Sequence, residues 1–296
     1  GIGLAFVSDT YLRMFIGDYR EFDPLSSNFL LFRNFVISPL LRDGALVRVK
    51  WSGKLVFVGD LHGDLSSLNE VVRRYAWDEN CFLVFLGDYV DRGLYQLKTL
   101  IGALILKAKF RDRVVLLRGN HEDITINRHY GFVSELVSRY GTRWREFYNL
   151  FVKPVYLSLP IAVLIERDDF RVFGVHGGLP IEPFKVEDIL KLPREEVPRN
   201  PTLMQLLWND PREGVLDYLP SDRGEGVYYF GSRVFYRFVK DNDVDLMVRA
   251  HEPVRSGFKS MFDNKLYTVF TCRYYRIPPT ILEVDEENRV YGIRLS

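Results

Sequence analysis

The sequence predicts an α/β protein with a helix-covered, largely parallel sheet and a second sheet after it. From Gly53 onwards, short apolar runs rich in Val, Leu and Phe alternate with helical patterns. This β-α-β-α-β succession is typical of helices packed on a parallel sheet. After residue 151 the apolar runs follow one another through mostly short turns, which predicts a second, mixed or antiparallel sheet.

The elements of the first sheet can be placed in chain order. Buried strands are predicted at LVFVG (55–59), FLVFLG (82–87) and VVLLRG (114–119). Helices are predicted between them near residues 66–75 and across 95–109, and two more near 132–140 and 144–151.

The second sheet is predicted from six further runs, IAVLIE, FRVFGVH, DLMVRAH, KLYTVFT, TILEVDE and VYGIRL. The first fifty residues have helical patterns, with Ser8 or Asp9 and Asp23 or Ser26 as candidate caps. They end in ALVRVK, a predicted edge strand.

Composition excludes several classes of function. The 40 Lys and Arg residues nearly balance 39 Asp and Glu, so the net charge of +1 gives no overall attraction to nucleic acid or membrane. No apolar stretch approaches the ~20 residues of a membrane helix, and the first residues lack a signal-peptide pattern. Cys81 and Cys272 are expected to be buried free thiols, which favours a cytoplasmic location.

Polar side chains follow the predicted strands at the points where loops begin. Four of the five histidines stand directly after strand-like runs, and only His129 does not. Ligands collect at such strand ends in α/β sheets, and imidazole with carboxylate suits Zn, Fe or Mn. The residues concerned are Asp60, His62, Asp88, Asp91, Arg92, Asn120, His121, Glu122, His176 and His251.

The ordered set GDLHG, GDYVDRG, RGNHE, HGGL and RAHE resembles the phosphoprotein phosphatase family of metal-dependent serine/threonine phosphatases, within the calcineurin-like metallophosphoesterase superfamily. LLWNDP and SDRG match two further family stretches, so the resemblance runs from about Ala45 to Tyr275. It implies a central two-sheet β-sandwich flanked by helices in four layers, αββα. We expect a single catalytic domain over residues 1–296, with residues 1–50 a helical segment and edge strand packed on it.

The resemblance also implies a role for each matching residue. Two divalent metal ions, drawn from Mn, Fe, Zn or Co, are expected, and Mn²⁺ is expected to support activity in vitro. The implied metal ligands are Asp60 and His62 for the first ion, Asp88 for both, and Asn120, His176 and His251 for the second. The implied phosphate-binding residues are Arg92, Asn120, Arg223 and Tyr275. His121 would be the general acid, oriented by Asp91.

This arrangement predicts a phosphomonoesterase that removes phosphate from phosphoserine or phosphothreonine in proteins. Two cations acidify a shared water, and the metal-bridging hydroxide attacks phosphorus directly. The alternatives are a dinucleoside polyphosphate hydrolase or phosphodiesterase of the same superfamily, and a non-catalytic scaffold. We expect a phosphoprotein or phosphopeptide as substrate and a monomer; no segment that binds a regulatory subunit is recognised in the sequence.

Several residues have a structural alternative. Arg92 could pair with Asp88 or Asp91, Arg223 could be a solvated turn residue, and Asp91 could cap the helix that begins near Tyr95.

Other positions carry a scaffold role or depart from the family pattern. Asp64 is expected to cap the helix near 66–75, and Asp210 to steady a metal ligand. The segment TCRYY (271–275) stands where the family carries Ser-Ala-Pro-Asn-Tyr, so Tyr274 is an alternative to Tyr275 and Arg273 adds a charge beside the cleft.

Overall fold

Residues 27–296 are described by a computed structural model, in which two β-sheets pack face to face. The first sheet has five strands in the spatial order β14-β13-β2-β3-β4. Their bounds are Lys54–Val58 (β2), Cys81–Phe85 (β3), Val114–Leu116 (β4), Thr280–Val284 (β13) and Val290–Arg294 (β14). β2, β3 and β4 are parallel, as predicted, whereas β13 is antiparallel to both of its neighbours.

The second sheet has six strands in the order β1-β5-β6-β10-β12-β11 and is mixed, as predicted. Their bounds are Leu46–Lys50 (β1), Ala162–Glu166 (β5), Arg171–Val175 (β6), Leu246–Arg249 (β10), Phe258–Met261 (β11) and Leu266–Val269 (β12). β1 is the ALVRVK run and lies at the edge of this sheet, as expected. A small third sheet joins Asp210–Pro211 (β7), Tyr218–Pro220 (β8) and Tyr228–Phe230 (β9).

Helices cover the outer face of each large sheet. On the first sheet the α-helices are Ser27–Asp43 (α1), Leu65–Val71 (α2), Gln96–Lys109 (α3), Ile124–Tyr130 (α4), Phe132–Tyr140 (α5), Trp144–Phe147 (α6) and Lys153–Ser158 (α7). On the second they are Pro201–Trp208 (α8) and Ser232–Asn242 (α9). Asp64 caps α2 as predicted, since its Oδ1 accepts the Ser67 backbone N–H at 3.0 Å.

The order of the layers follows from the period of two along each strand. In β2, Val56 and Val58 pack under the helices, whereas Leu55 and Phe57 face the second sheet. One apolar core therefore fills the space between the two sheets, and each of the other two cores lies between one sheet and the helices that cover it. The predicted four-layer αββα sandwich is confirmed.

Three predictions about elements were wrong or incomplete. The runs TILEVDE and VYGIRL form β13 and β14, which extend the first sheet and not the second. Their apolar pattern suits either sheet, and the choice is made by non-local pairing of Val284 with Leu55 and Ile281 with Val58. Helices α4, α8 and α9 were not predicted. The helix expected at 144–151 continues through a π-helical stretch to Ser158.

The N-terminal helical prediction is confirmed for α1, whose Phe32, Val36 and Leu40 are buried in the core beneath the first sheet. The candidate caps Ser8, Asp9, Asp23 and Ser26 lie outside the described residues. Among helices of residues 27–296, none has the length and apolar character needed to cross a membrane.

Candidate two-metal active site

The site lies where strands of both sheets end and loops begin. Asp60 follows β2, Asp88 follows β3 and Asn120 follows β4, and these three strands are parallel neighbours. His176 comes directly after β6, and His251 follows β10 beside it in the second sheet. Because the carboxyl ends of these strands meet at one end of the sandwich, the fold gathers side chains that are far apart in sequence.

Two histidines direct their Nε2 atoms towards the same carboxylate. Oδ2 of Asp88 lies 3.5 Å from Nε2 of His62 and 3.3 Å from Nε2 of His176. Each ring donates Nδ1–H to a backbone carbonyl oxygen, that of Val90 for His62 and that of Leu86 for His176. These hydrogen bonds fix the tautomer that each ring adopts when it is neutral, so Nε2 is the atom of each ring that can offer a lone pair to a metal ion.

His251 is held in the opposite tautomer. Its Nε2 donates to the carbonyl oxygen of Trp208 at 3.0 Å, which leaves Nδ1 as the available ligand atom. The His251 backbone N–H donates to Oδ1 of Asp60 at 3.0 Å, while Asp60 Oδ2 lies 3.2 Å from Nε2 of His62. Asp60 therefore connects the loop after β2 to the loop after β10.

Asp88 is the common member of two sets of ligand atoms. Within the described residues, atoms lying within 4.8 Å of one another form the sets His62, Asp88, His121 and Asp88, His176, His251. Asn120 lies beside the second set, with its Oδ1 2.9 Å from Nε2 of His176. The third member of the first set is His121, whereas the resemblance assigns Asp60 as a ligand of the first ion. A carboxylate that belongs to both sets suits the bridging position expected of Asp88.

The electrostatics of the site suit cations. Burial acts to lower the pKa of His62, but the hydrogen bond and charge of Asp60 and the charge of Asp88 outweigh it and raise the pKa to about 9. Burial acts to raise the pKa of Asp88, but the nearby histidines hold it well below its usual value. These buried carboxylates thus attract positive charge, and carboxylate, imidazole and amide ligands suit Zn, Fe or Mn. The residues fit a pair of divalent metal ions.

Five residues of the site have a backbone conformation that side chains rarely adopt. Their φ angles are positive, between 44° and 73°, in His62, Asp88, Asp91, Arg92 and His251. Such a conformation costs on the order of 1–3 kcal/mol per residue and persists only where the surrounding structure enforces it. Strain concentrated in these loops indicates a functional site.

Gly119 allows two of the loops to touch. A Cβ atom at this position would lie 2.1 Å from Oδ1 of Asp88 and 2.6 Å from its backbone nitrogen. Any larger residue would therefore displace Asp88 from its position between the histidines. The glycine in RGNHE is thus required by close approach and is not ordinary turn punctuation.

His121 is held by a buried carboxylate at the edge of the cavity. Its Nδ1 is 2.7 Å from Oδ2 of Asp91, whose side chain is fully buried. Asp91 also accepts the Asn127 side-chain N–H at 2.9 Å and the Phe132 backbone N–H at 2.9 Å. This contact accounts for the orientation of the imidazole and leaves its Nε2 available.

The alternative role of Asp91 as a cap of the helix near Tyr95 is wrong. The first N–H groups of α3, those of Gln96 and Leu97, donate to the carboxylate of Glu135 instead. Asp91 binds the first residue of a different helix, α5.

Arg92 reaches the cavity without an ion pair among residues 27–296. Its guanidinium carbon lies 4.5 Å from the centre of the Tyr130 ring and 5.8 Å from that of Tyr275. The alternative pairing with Asp88 or Asp91 is therefore not found in the described part of the chain. Arg92 keeps its charge available for an anion while aromatic faces hold its position.

Arg223 is tied to the scaffold of the site. Its Nε donates to Oδ2 of Asp210 at 2.6 Å, so the alternative of a solvated turn residue is wrong. Oδ1 of Asp210 accepts from NH2 of Arg249 at 2.6 Å, and Arg249 is completely buried. Arg249 further donates to Glu252 at 2.8 Å. The network also reaches His251, because NH2 of Arg223 donates to the His251 carbonyl oxygen at 3.4 Å. These contacts fix the direction of Arg223.

The resulting cavity has a volume of about 190 Å³. It is lined by Asp60, His62, Asp88, Arg92, Asn120, His121, Arg223, His251, Pro253, Phe270 and Tyr275. Every residue expected to bind phosphate is in this lining. His176 lies behind it, and Asp91 supports it through His121. Tyr275 and not Tyr274 faces the cavity, so the structure places the expected tyrosine at Tyr275.

Sequence reasoning missed residues that support the site from α4 and α7. Asn127 donates to Asp91 and to the His121 carbonyl oxygen, and Tyr156 donates to the Asn127 Oδ1 at 2.7 Å. Asp123 caps α4 through the Thr125 backbone N–H, and an Asp before ITINRHY is the signal that could have located this helix. No local pattern marks the contact with Tyr156.

Comparison with known proteins agrees with this geometry. Residues 53–255 match the family model of the calcineurin-like phosphoesterases. The chain is 37% identical to the serine/threonine-protein phosphatase 6 catalytic subunit of Caenorhabditis elegans over 243 residues, which are 80% of this chain and 71% of that protein. It is 36% identical to the serine/threonine-protein phosphatase 4 catalytic subunit of Saccharomyces cerevisiae over 262 residues, covering 86% and 81%.

Solved structures give the same result. A protein serine/threonine phosphatase from Saccharomyces cerevisiae with similarity to human phosphatase PP5 superposes with a TM-score of 0.81 and 25% identity, covering 99% of this chain and 95% of that one. The family match, the curated relatives and the shared fold all agree with the loops described above. The chain belongs to the calcineurin-like phosphoesterases and, within them, to the phosphoprotein phosphatase family of serine/threonine protein phosphatases.

Proposed function

We propose that this protein removes phosphate from phosphoserine and phosphothreonine side chains of proteins, with two divalent metal ions as cofactors. One observation supports the proposal most directly. Asp88 lies between two sets of histidine ligand atoms, and the Asp91–His121 pair lies beside the same cavity. Metal-ligating residues, phosphate-binding arginines and a proton donor are then close enough to act on one phosphoryl group.

The proposed ligands of the first ion are Asp60, His62 and Asp88, and those of the second are Asp88, Asn120, His176 and His251. When bound, two such ions activate water and neutralise charge on the phosphoryl oxygens. We propose that Mn, Fe, Zn or Co can occupy these positions, and that Mn²⁺ supports activity in vitro.

Arg92 and Arg223 would bind the phosphoryl oxygens from two sides of the cavity. Both side chains line it, and a guanidinium offers paired donors that match two phosphate oxygens. Arg223 uses Nε for Asp210 and donates NH2 to the His251 carbonyl oxygen at 3.4 Å, so NH1 is the group left to contact the substrate. Asn120 and Tyr275 complete the proposed phosphate contacts from the same lining.

His121 would protonate the leaving oxygen of the serine or threonine. An alkoxide leaves poorly, so a donated proton lowers the barrier as the bond to phosphorus breaks. Asp91 holds Nδ1 of His121, and this directs Nε2 towards the cavity. Asn127 fixes Asp91 in turn.

The proposal includes the setting in which this chemistry takes place. Residues 1–296 would act as a single catalytic domain, and the burial of α1 and β1 side chains in the cores supports this for the described part. We propose a cytoplasmic enzyme, in line with the two buried free thiols of Cys81 and Cys272. A phosphoprotein is the proposed partner, and the protein is proposed to act as a monomer.

A panel of substrates tests the proposal. Metal-free protein reconstituted separately with Mn, Fe, Zn or Co ions is assayed on p-nitrophenyl phosphate, its bis-ester, a dinucleoside tetraphosphate, and phosphoserine and phosphotyrosine peptides. We expect the phosphoserine peptide and the monoester to be hydrolysed, and the bis-ester and tetraphosphate to be poor substrates.

The matched control is His129→Asn, which removes an exposed histidine outside the cavity lining. It should keep wild-type turnover of p-nitrophenyl phosphate. Preference for the bis-ester or the tetraphosphate would favour the alternative enzymes of the superfamily. No turnover with any of the four metals would favour a non-catalytic scaffold.

A further inference from the structure

The segment Arg273–Tyr275 is one short turn of 3₁₀ helix that carries a residue of the cavity lining. It follows buried Cys272 and ends at Arg276, whose φ is +57°. A single 3₁₀ turn has few hydrogen bonds of its own, so its position depends on contacts with neighbouring elements. The chain must therefore supply an anchor outside the turn.

Asp64 supplies that anchor, with four hydrogen bonds to its two oxygens. Oδ1 accepts from the Ser67 backbone N–H at 3.0 Å and from Nε of Arg273 at 2.8 Å. Oδ2 accepts from the Ser67 hydroxyl at 2.6 Å and from the Arg273 backbone N–H at 3.0 Å. The NH2 group of Arg273 also donates to the Ser67 hydroxyl oxygen at 3.1 Å. Both the main chain and the side chain of Arg273 are thus bound to one carboxylate.

The burial of this ion pair makes it unlike an ordinary surface pair. The Asp64 side chain is completely buried, and that of Arg273 is 32% exposed. Charge-assisted hydrogen bonds to a buried carboxylate contribute more to stability than ion pairs on the exposed surface do. Asp64 also belongs to the loop after β2, which carries Asp60 and His62. The pair therefore connects the turn directly to the loop of the first proposed metal position.

Tyr275 lies at the other end of the turn and touches the site. Its ring centre is 5.6 Å from that of His62 and 4.9 Å from that of Phe270. The guanidinium of Arg92 lies 5.8 Å from the same ring. Displacement of the turn would consequently move Tyr275 relative to His62 and Arg92.

We propose that Arg273 and Asp64 are positioning residues, whose ion pair holds Tyr275 in the phosphate-binding cavity. This inference rests on the proposed function, because it assigns Tyr275 a contact with the phosphoryl group. It gives a physical reason for the charged residue at a position where a proline was expected from the resemblance. Arg273 acts through Tyr275 and touches no substrate itself.

A double-mutant cycle tests the coupling. Arg273→Gln and Tyr275→Phe are compared singly and together, with KM and kcat measured on p-nitrophenyl phosphate and the phosphoserine peptide. We expect each single variant to reduce kcat/KM by about 3- to 10-fold, mostly through KM. The double variant should lose no more kcat/KM than the more impaired of the two single variants, since the effects of residues that act through one another are not additive. A product of the two single losses would overturn the proposal.

Two further measurements separate positioning from general loss of structure. Arg276→Gln removes the same charge from the residue directly after the turn. Arg276 has no ion pair within residues 27–296, so this variant should keep wild-type KM. In metal-free protein, amide hydrogen exchange in residues 271–276 should be faster in Arg273→Gln and unchanged in Arg276→Gln. Equal exchange in both variants would overturn the proposal. Absent wild-type turnover would refute the proposed function, while hydrogen exchange would still decide the role of Arg273.

Discussion

Replacement of Asp91 by Asn perturbs the proposed proton donor without touching a proposed metal ligand. Asp91 accepts three hydrogen bonds, and the asparagine amide can keep the one from the Phe132 backbone N–H. In the wild type, Oδ2 of Asp91 accepts hydrogen bonds from Asn127 and from Nδ1 of His121. In the variant an N–H₂ group takes the place of this oxygen and cannot accept either bond. The variant therefore loses the charge-assisted hydrogen bond that holds Nδ1 of His121.

The magnitude follows from the kind of bond that is lost. The 2.7 Å contact between His121 and a fully buried carboxylate is a charge-assisted hydrogen bond, worth about 1.5–3 kcal/mol. If the transition state loses this whole free energy in the variant, kcat falls by about 10- to 150-fold. This loss applies to phosphoserine peptide, whose alkoxide needs a proton. Because p-nitrophenolate leaves unaided, its turnover should fall by less than about threefold.

The assay compares kcat on both substrates for the wild type, Asp91→Asn and the control Asp123→Asn. Asp123 caps α4 through Thr125, and asparagine caps a helix equally well, so this carboxylate-to-amide change should leave both rates near wild type. Thermal unfolding checks that Asp91→Asn is folded at the assay temperature. Equal losses on the two substrates would refute the general-acid role.

Three further predictions follow from the geometry. His121→Asn should lower phosphoserine-peptide turnover by about 10²- to 10⁴-fold while two metal ions per chain remain bound, and loss of metal would contradict its assignment as proton donor. Asp88→Asn should weaken both metal positions, as measured by elemental analysis, because Asp88 lies between His62 and His176; two retained ions would refute the bridging role. Arg249→Met should reduce the free energy of unfolding by about 3–5 kcal/mol in denaturant titration, since it removes the buried cation shared by Asp210 and Glu252 and leaves the buried Asp210 with Arg223 alone. A loss below about 1 kcal/mol would show that Arg223 alone compensates.

Local pattern was sufficient to predict the strands that precede the site loops, whereas the short strands β7, β8, β9 and β11 were not predicted. Each run such as LVFVG is buried on both faces, so its apolar character is continuous and its end is marked by polar residues. Asp60, Asp88 and Asn120 therefore stood at predicted strand ends, and the fold brought them to one cavity. Sequence spacing does not specify which ring nitrogen of a histidine is available to a metal ion. Hydrogen bonds to the carbonyl oxygens of Val90 and Trp208 decide this for His62 and His251.

Non-local contacts explain what local pattern could not give. The run TILEVDE has the same apolar character as strands of either sheet, and only its register with β2 assigns it to the first. The burial of Arg249 depends on carboxylates from β7 and from the loop after β10, which no local spacing reveals. The resemblance, in turn, gave no account of Arg273, whose partner Asp64 lies 209 residues earlier in the chain.

Metal titration of the metal-free protein tests the central claim most directly. Mn²⁺ is added stepwise, and bound metal and turnover of phosphoserine peptide are measured on the same samples, with Asp88→Asn alongside. Two-metal phosphate hydrolysis predicts that the wild type binds two ions per chain and that turnover rises with occupancy of the second, while Asp88→Asn does neither. Full turnover of phosphoserine peptide by metal-free wild type, or by protein with a single ion per chain, would contradict the account.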